Sequence, residues 1–190
     1  MPDDEPLTAL DYELYILHAM IVAPDEAVEQ VLERLGLDRA RMQWSTERVK
    51  DKDFLMRPAF EEVCELLAPV LHEEQRVVAG EERTVRIFPL RLWDDFHFAV
   101  FGSPDGGIWD EQFVRPEGAL PPSIEDPSQL AVWSVTRDEV EARFGPLQAS
   151  DVWPPYGAYT LAHELGDGST TVYDVVFSWS LLQAVHPSES

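Results

Sequence analysis

Residues 156–185 read YGAYTLAHELGDGSTTVYDVVFSWSLLQAV, two apolar runs on either side of Gly166-Asp167-Gly168. This is the pattern of a β-hairpin. In its second arm Thr171, Tyr173, Val175, Phe177, Trp179 and Leu181 alternate with Val172, Asp174, Val176, Ser178 and Ser180. One face is therefore aromatic and apolar and the other mixed. In the first arm Tyr159, Leu161, His163 and Leu165 share one parity. A slip of one residue turns a strand's whole apolar set to the other side of the sheet, so the faces select the register. A two-residue Asp167-Gly168 turn sets Leu161 opposite Asp174 and puts Glu164 on the aromatic face. A three-residue loop, Gly166 to Gly168 with Gly168 at positive φ, pairs Leu161 with Tyr173, Tyr159 with Val175 and His163 with Thr171. The three-residue loop is the expected one.

Upstream, Leu7, Leu10, Leu14, Leu17 and Ile21 fall at spacings of three and four, which predicts a helix from Thr8 to Ile21 with Thr8 as N-cap; a strand over Tyr12 to Val22 is the competing reading. A second helix is expected over Glu26 to Leu35, capped by Gly36. Arg39 to Asp53 is polar, anchored only by Met42 and Trp44, and is left open to a short strand. From Arg57 the apolar stripe Phe60, Val63, Cys64, Leu67, Val70 and Leu71 predicts a helix that kinks or stops at Pro69. Cys64 falls in the middle of that stripe and reads as a core thiol.

Strands are expected over Thr84 to Trp93, Phe96 to Phe101 and Ile108 to Val114, with Asp94-Asp95 and Ser103 to Gly107 as turns. Residues 115–128 carry too many prolines and glycines for an element and form a long loop, a conceivable but disfavoured domain seam. Leu130 to Val135 reads as a strand. Thr136-Arg137-Asp138-Glu139 is a capping box for a short helix ended by Gly145-Pro146. The sum is a single α+β domain over residues 1–190: N-terminal helices packed on one face of a mainly antiparallel sheet of five to seven strands, closed by the C-terminal hairpin.

Charge bounds the function. The 190 residues include 36 Asp and Glu against 14 Lys and Arg, a formal net charge of -22, and 45% are hydrophobic. The excess is spread along the chain rather than held in a tail, and no Lys or Arg follows Arg143. Such a field repels phosphate backbones and anionic membranes and favours either a cationic partner or simple solubility. One cysteine excludes an intrachain disulfide and a cysteine-based zinc site. The acidic N-terminus and the short apolar run Leu14 to Pro24 suggest neither a signal peptide nor a membrane span, so the expected compartment is cytoplasmic.

No stretch specifies a reaction. His163-Glu164-Leu165-Gly166-Asp167 approaches the zinc-protease pattern H-E-x-x-H, but Asp167 stands where the second histidine belongs, and on a strand His163 and Glu164 point to opposite faces. Asp94, Asp95, His97 and Asp110 are candidate metal ligands if the meander gathers them. No nucleophile elbow or phosphate loop is present, and no cofactor is implied. Trp153 and Tyr156, in a Pro-rich segment beside Asp151, form a candidate partner-binding surface: aromatic anchors within an acidic rim. The leading expectation is a small acidic protein that inhibits or regulates a basic protein partner, in the manner of an immunity or antitoxin protein. Alternatives are a metal-assisted hydrolase using His97 and His163, and a structural or accessory subunit.

Overall fold

The computed structural model describes residues 6–51, 58–166 and 168–188. The fold is α+β: among the described residues there are five α-helices and two four-stranded antiparallel sheets, the second built from C-terminal strands. The chain divides into two compact units, residues 1–21 with 25–111, and residues 112–190 with 22–24. The division falls inside a strand rather than in the proline-rich stretch 115–128.

In the first unit, α1 (Ala9–Ala19) begins at Thr8, whose hydroxyl caps Asp11 N–H while the Asp11 carboxylate accepts Thr8 N–H at 2.9 Å. This reciprocal box fixes the helix start and decides against the strand alternative. α2 (Asp25–Arg34) ends as Gly36 takes φ +66°. Gly36 N–H then reaches Glu33 O and Leu37 N–H reaches Leu32 O, the paired bonds of a Schellman cap. The segment left open to a strand is a helix, α3 (Arg39–Asp51). Its buried face is Met42, Ser45, Thr46 and Val49, a proper helical spacing in which two members are small hydroxyls. Thr46 returns its hydroxyl to Met42 O and Ser45 gives its own to Asp11, so the polar atoms are satisfied inside. α4 (Phe60–Leu67) stops before Pro69, leaving Val70 and Leu71 exposed instead of extending the stripe. The expected start at Arg57 lies outside the described residues.

The first sheet runs in the order β1 (His72–Val78), β2 (Glu81–Pro89), β3 (His97–Gly102), β4 (Ile108–Val114). β1 has no counterpart among the expected strands. Its sequence HEEQRVV has charges on both faces and is largely exposed, so it lacks apolar alternation. Asp94 and Asp95 do form the expected turn, with Phe96 N–H donating to Trp93 O at 3.0 Å, but it is not a tight hairpin: Pro89 pairs with His97, so the turn sits within a longer loop, residues 90–96. Two buried carboxylates of α1 organise this unit. Glu13 accepts Arg91 N–H and Leu92 N–H, both at 2.8 Å, and so holds that loop. Asp11 accepts the Ser45 hydroxyl at 2.7 Å and Arg41 Nη2 at 2.8 Å and so holds α3.

In the second unit, residues 130–135 do not form the expected strand. A 3-10 turn (Pro127–Gln129) precedes them and the Thr136 capping box starts α5 (Arg137–Phe144), which ends at Gly145 with φ +101° as expected. The second sheet runs β5 (Gln148–Trp153), β6 (Tyr156–Glu164), β7 (Thr170–Ser178), β8 (Leu181–Pro187). The central hairpin has the expected register: Tyr159 with Val175, Leu161 with Tyr173, His163 with Thr171. Leu165 N–H donates to Ser169 O across the three-residue loop, and Gly168 takes φ +83°. Asp167 lies outside the described residues.

The second arm is not one strand to Leu181. The chain reverses at Trp179 and Ser180, both at positive φ (47° and 64°), the backbone of a two-residue type I′ turn built without glycine. Partners hold it: Trp179 N–H donates to Pro155 O at 2.8 Å, Trp179 O accepts Phe113 N–H and Ser180 O accepts Arg137 N–H. The unit's core is Leu130, Val135, Val140, Leu161, Tyr173, Val175, Phe177 and Leu182, drawn from one face of the sheet, the segment along β8 and α5.

Candidate functional site

The register of the second sheet sorts its residues into two faces. Inner rows such as Val152–Gly157–Phe177–Leu182 and Ala149–Tyr159–Val175–Val185 include the packed residues. The alternate rows, Trp153–Tyr156–Ser178–Leu181, Asp151–Ala158–Val176–Ala184 and Gln148–Thr160–Asp174–His186, make the other face, called the outer face; its Ser178, Leu181 and Ala184 are buried, so it is open along β5, β6 and the Thr170–Asp174 half of β7. A bulge at Ser150, between Ala149 and Asp151, is what turns Asp151 onto this side.

The three candidate partner-binding residues thus share one face. Pro154-Pro155 is not a loose loop but the two-residue end of the β5–β6 hairpin, and Trp153 pairs with Tyr156 directly across it. Their rings lie 5.6 Å apart at 35°, within the range of favourable aromatic contact. Trp153 remains 59% exposed, and Val152 beside it 47%. Asp151, Glu164 and Asp174 are exposed on the same face around the small residues Ala158, Thr160 and Ala162. No Lys or Arg stands on β5 to β8; of the two histidines on these strands, His186 is next to Asp174 in register on this face and His163 is on the other. Two rings at one end and three carboxylates around a flat floor are suited to contact with a cationic surface.

The candidate metal ligands are not gathered. Among the described residues no group of three or more His, Cys, Asp or Glu is disposed to hold a metal ion. Asp94 instead takes Arg34 Nη1 at 2.6 Å. His97 starts β3 opposite Pro89, with its pKa lowered by burial, and Asp110 is in β4. His163 stacks edge-on against Phe144 with centroids 5.7 Å apart, and Glu164 turns to the other face, so the protease-like string does not converge.

Cys64 is 3% exposed, as expected of a core thiol. It does have a basic neighbour that its own sequence surroundings do not reveal: Arg86 lies beside the sulfur. Burial outweighs that cation and pushes the thiol up to about 11, so it is not a nucleophile at neutral pH.

Two hollows open on the first unit. One, of about 370 Å³, is lined by Phe60, Glu61, Glu73, Thr84 and Arg86 among others. Arg86 is held there by Glu61 and Glu73 at 2.6 Å each. Arg83 also lines this hollow; its guanidinium lies over the Trp109 ring at 4.5 Å and gives Nη2 to Glu81 at 2.6 Å, while its buried Nε and Nη1 have no hydrogen-bond partner among the described residues. The second hollow, about 500 Å³, is bordered by Gly36, Asp38, Arg41 and Trp44. There Arg41 and Arg48 cover the Trp44 ring at 4.2 and 4.4 Å, and Arg41 is bound to Asp11. No helix among the described residues is long and apolar enough to cross a membrane. No family model, curated protein or solved structure matches the chain.

Proposed function

We propose that this protein acts by binding, and that it inhibits or regulates a basic partner protein held against the outer face of its second sheet. The observation that carries this reading is the composition of that face: Trp153 and Tyr156 at one end, Asp151, Glu164 and Asp174 around a flat floor, and no Lys or Arg on any of the four strands. The aromatic pair supplies desolvated contact area, and the carboxylates supply steering and register. The net charge of -22 adds a long-range attraction for any cationic surface, fast at low salt and screened at high salt.

Capture of partners from native lysate at low and at high salt, followed by titration of the purified partner, tests the reading. The expected result is a basic protein whose affinity falls by about tenfold or more with Trp153→Ala, a loss of about 1.4 kcal/mol or more. A captured partner that is acidic, or that binds Trp153→Ala as well as the parent, contradicts it.

A further inference from the structure

The two outer edges of the second sheet are not alike. Along β8, Trp133 N–H donates to Leu182 O at 2.9 Å and Leu182 N–H to Val135 O at 3.1 Å, so the chain's own segment covers that edge. Along β5, all six residues are exposed, and among the described residues no backbone hydrogen bond reaches the strand except from β6. The direction of its free groups follows from the hairpin. Leu165 bonds to Ser169, and stepping back by twos gives His163, Leu161, Tyr159 and Gly157 as the residues bonded to β7. Tyr156, Ala158 and Thr160 then face β5, and the residues opposite Tyr159 and Gly157, namely Ala149 and Val152, turn their N–H and C=O outward.

Natural sheets guard such edges with lysines and other charges. β1 of the first sheet does so, with Glu73, Glu74 and Arg76 tied in ion pairs. β5, sequence QASDVW, has a single charge, and it is negative.

We infer that the β5 edge takes an extended, basic segment of the partner as a fifth strand, an inference that rests on the basic-partner reading above. Backbone hydrogen bonds to Val152 and Ala149 give the attachment, and alternate side chains give the selectivity. Residues of the incoming strand that fall beside Asp151 and Gln148 join the acidic outer face and are Lys or Arg. Those beside Val152 join the inner side and are apolar. A second copy of this chain is the wrong occupant, because pairing β5 with itself brings together two chains of charge -22.

The test uses two blocked synthetic peptides of equal charge, one alternating Lys and Val and one alternating Lys and Pro, the latter without an N–H at the positions that fall opposite Val152 and Ala149. Tryptophan fluorescence reads binding, and amide hydrogen exchange reads the site. The expected result is tighter binding of the Lys-Val peptide by about tenfold or more, with exchange at Val152 slowed by a similar factor. Val152→Pro, which removes an outward N–H and no bond of the sheet, should reduce the Lys-Val peptide to the Lys-Pro level, while Val152→Thr should not. Near-ultraviolet circular dichroism checks that both variants stay folded. Equal binding of the two peptides, or protection away from β5, overturns the edge inference and leaves the basic-partner reading standing. Failure of both peptides to bind at low salt overturns both.

Discussion

Glu13 and Asp11 are two carboxylates on one helix, each 1% exposed, yet their surroundings move them in opposite directions. For Glu13 burial dominates and raises the pKa, despite the two backbone N–H groups it accepts. Burial also opposes the charge of Asp11, but the hydroxyls of Ser45 and Thr8, Thr8 N–H and Arg41 together outweigh it and lower the pKa. The linkage signs follow. Stability contributed by Asp11 is present above its unfolded value, about 3.9, and is lost as pH falls through the lower folded value. For Glu13 the favourable state lies below its unfolded value, about 4.3, and stability is lost as pH rises through the higher folded value. Urea unfolding between pH 3 and pH 7 therefore separates the two. Asp11→Asn should lose stability relative to the parent as pH rises, and Glu13→Gln should gain it, since an amide oxygen still accepts both N–H groups without a buried charge. Glu13→Ala should cost about 2–3 kcal/mol, because two donors lose their acceptor. Parallel pH profiles for Asp11→Asn and Glu13→Gln would contradict this assignment.

At the scale of elements, what the amino-acid pattern reveals depends on how each turn and face is built. The central hairpin is legible because Gly168 supplies the positive φ and the apolar parity admits only one register. The reversal at Trp179-Ser180 is hidden because its left-handed residues are not glycine, and their conformation is held by bonds from Pro155, Phe113 and Arg137, which lie far away in sequence. α3 is hidden because Ser45 and Thr46 occupy core positions as hydroxyls. Of the candidate site, the residues Asp151, Trp153 and Tyr156 are legible, but their common face depends on the Ser150 bulge and on a Pro-Pro hairpin end that reads as loop. The β1–β2 hairpin offers a test of the turn argument. Ala79 and Gly80 take φ 53° and 82° in a two-residue turn. Asn tolerates this region better than Ala, so Ala79→Asn should stabilise the protein by about 0.5–1 kcal/mol in urea unfolding. A loss of stability would show that the turn is not type I′.

At the scale of the whole molecule, the charge of -22 is distributed over the chain, yet the basic residues are not. The second sheet has acids on its open face and no Lys or Arg at all, whereas in the first unit Arg34, Arg41 and Arg86 are each paired with a carboxylate. Local charge reversal can therefore separate specific contact from general attraction. The decisive measurement is the association rate of the captured basic partner with the parent protein and with an Asp151→Lys/Asp174→Lys variant, across a series of salt concentrations. Reversal of two rim charges on the binding face should slow association by about tenfold or more at low salt and flatten its dependence on salt. The same two substitutions at Glu26 and Glu47, exposed on α2 and α3, are the control for net charge and should have a much smaller effect. Equal slowing by both pairs would mean that only the total charge matters and would contradict the assignment of the second sheet's outer face as the binding surface.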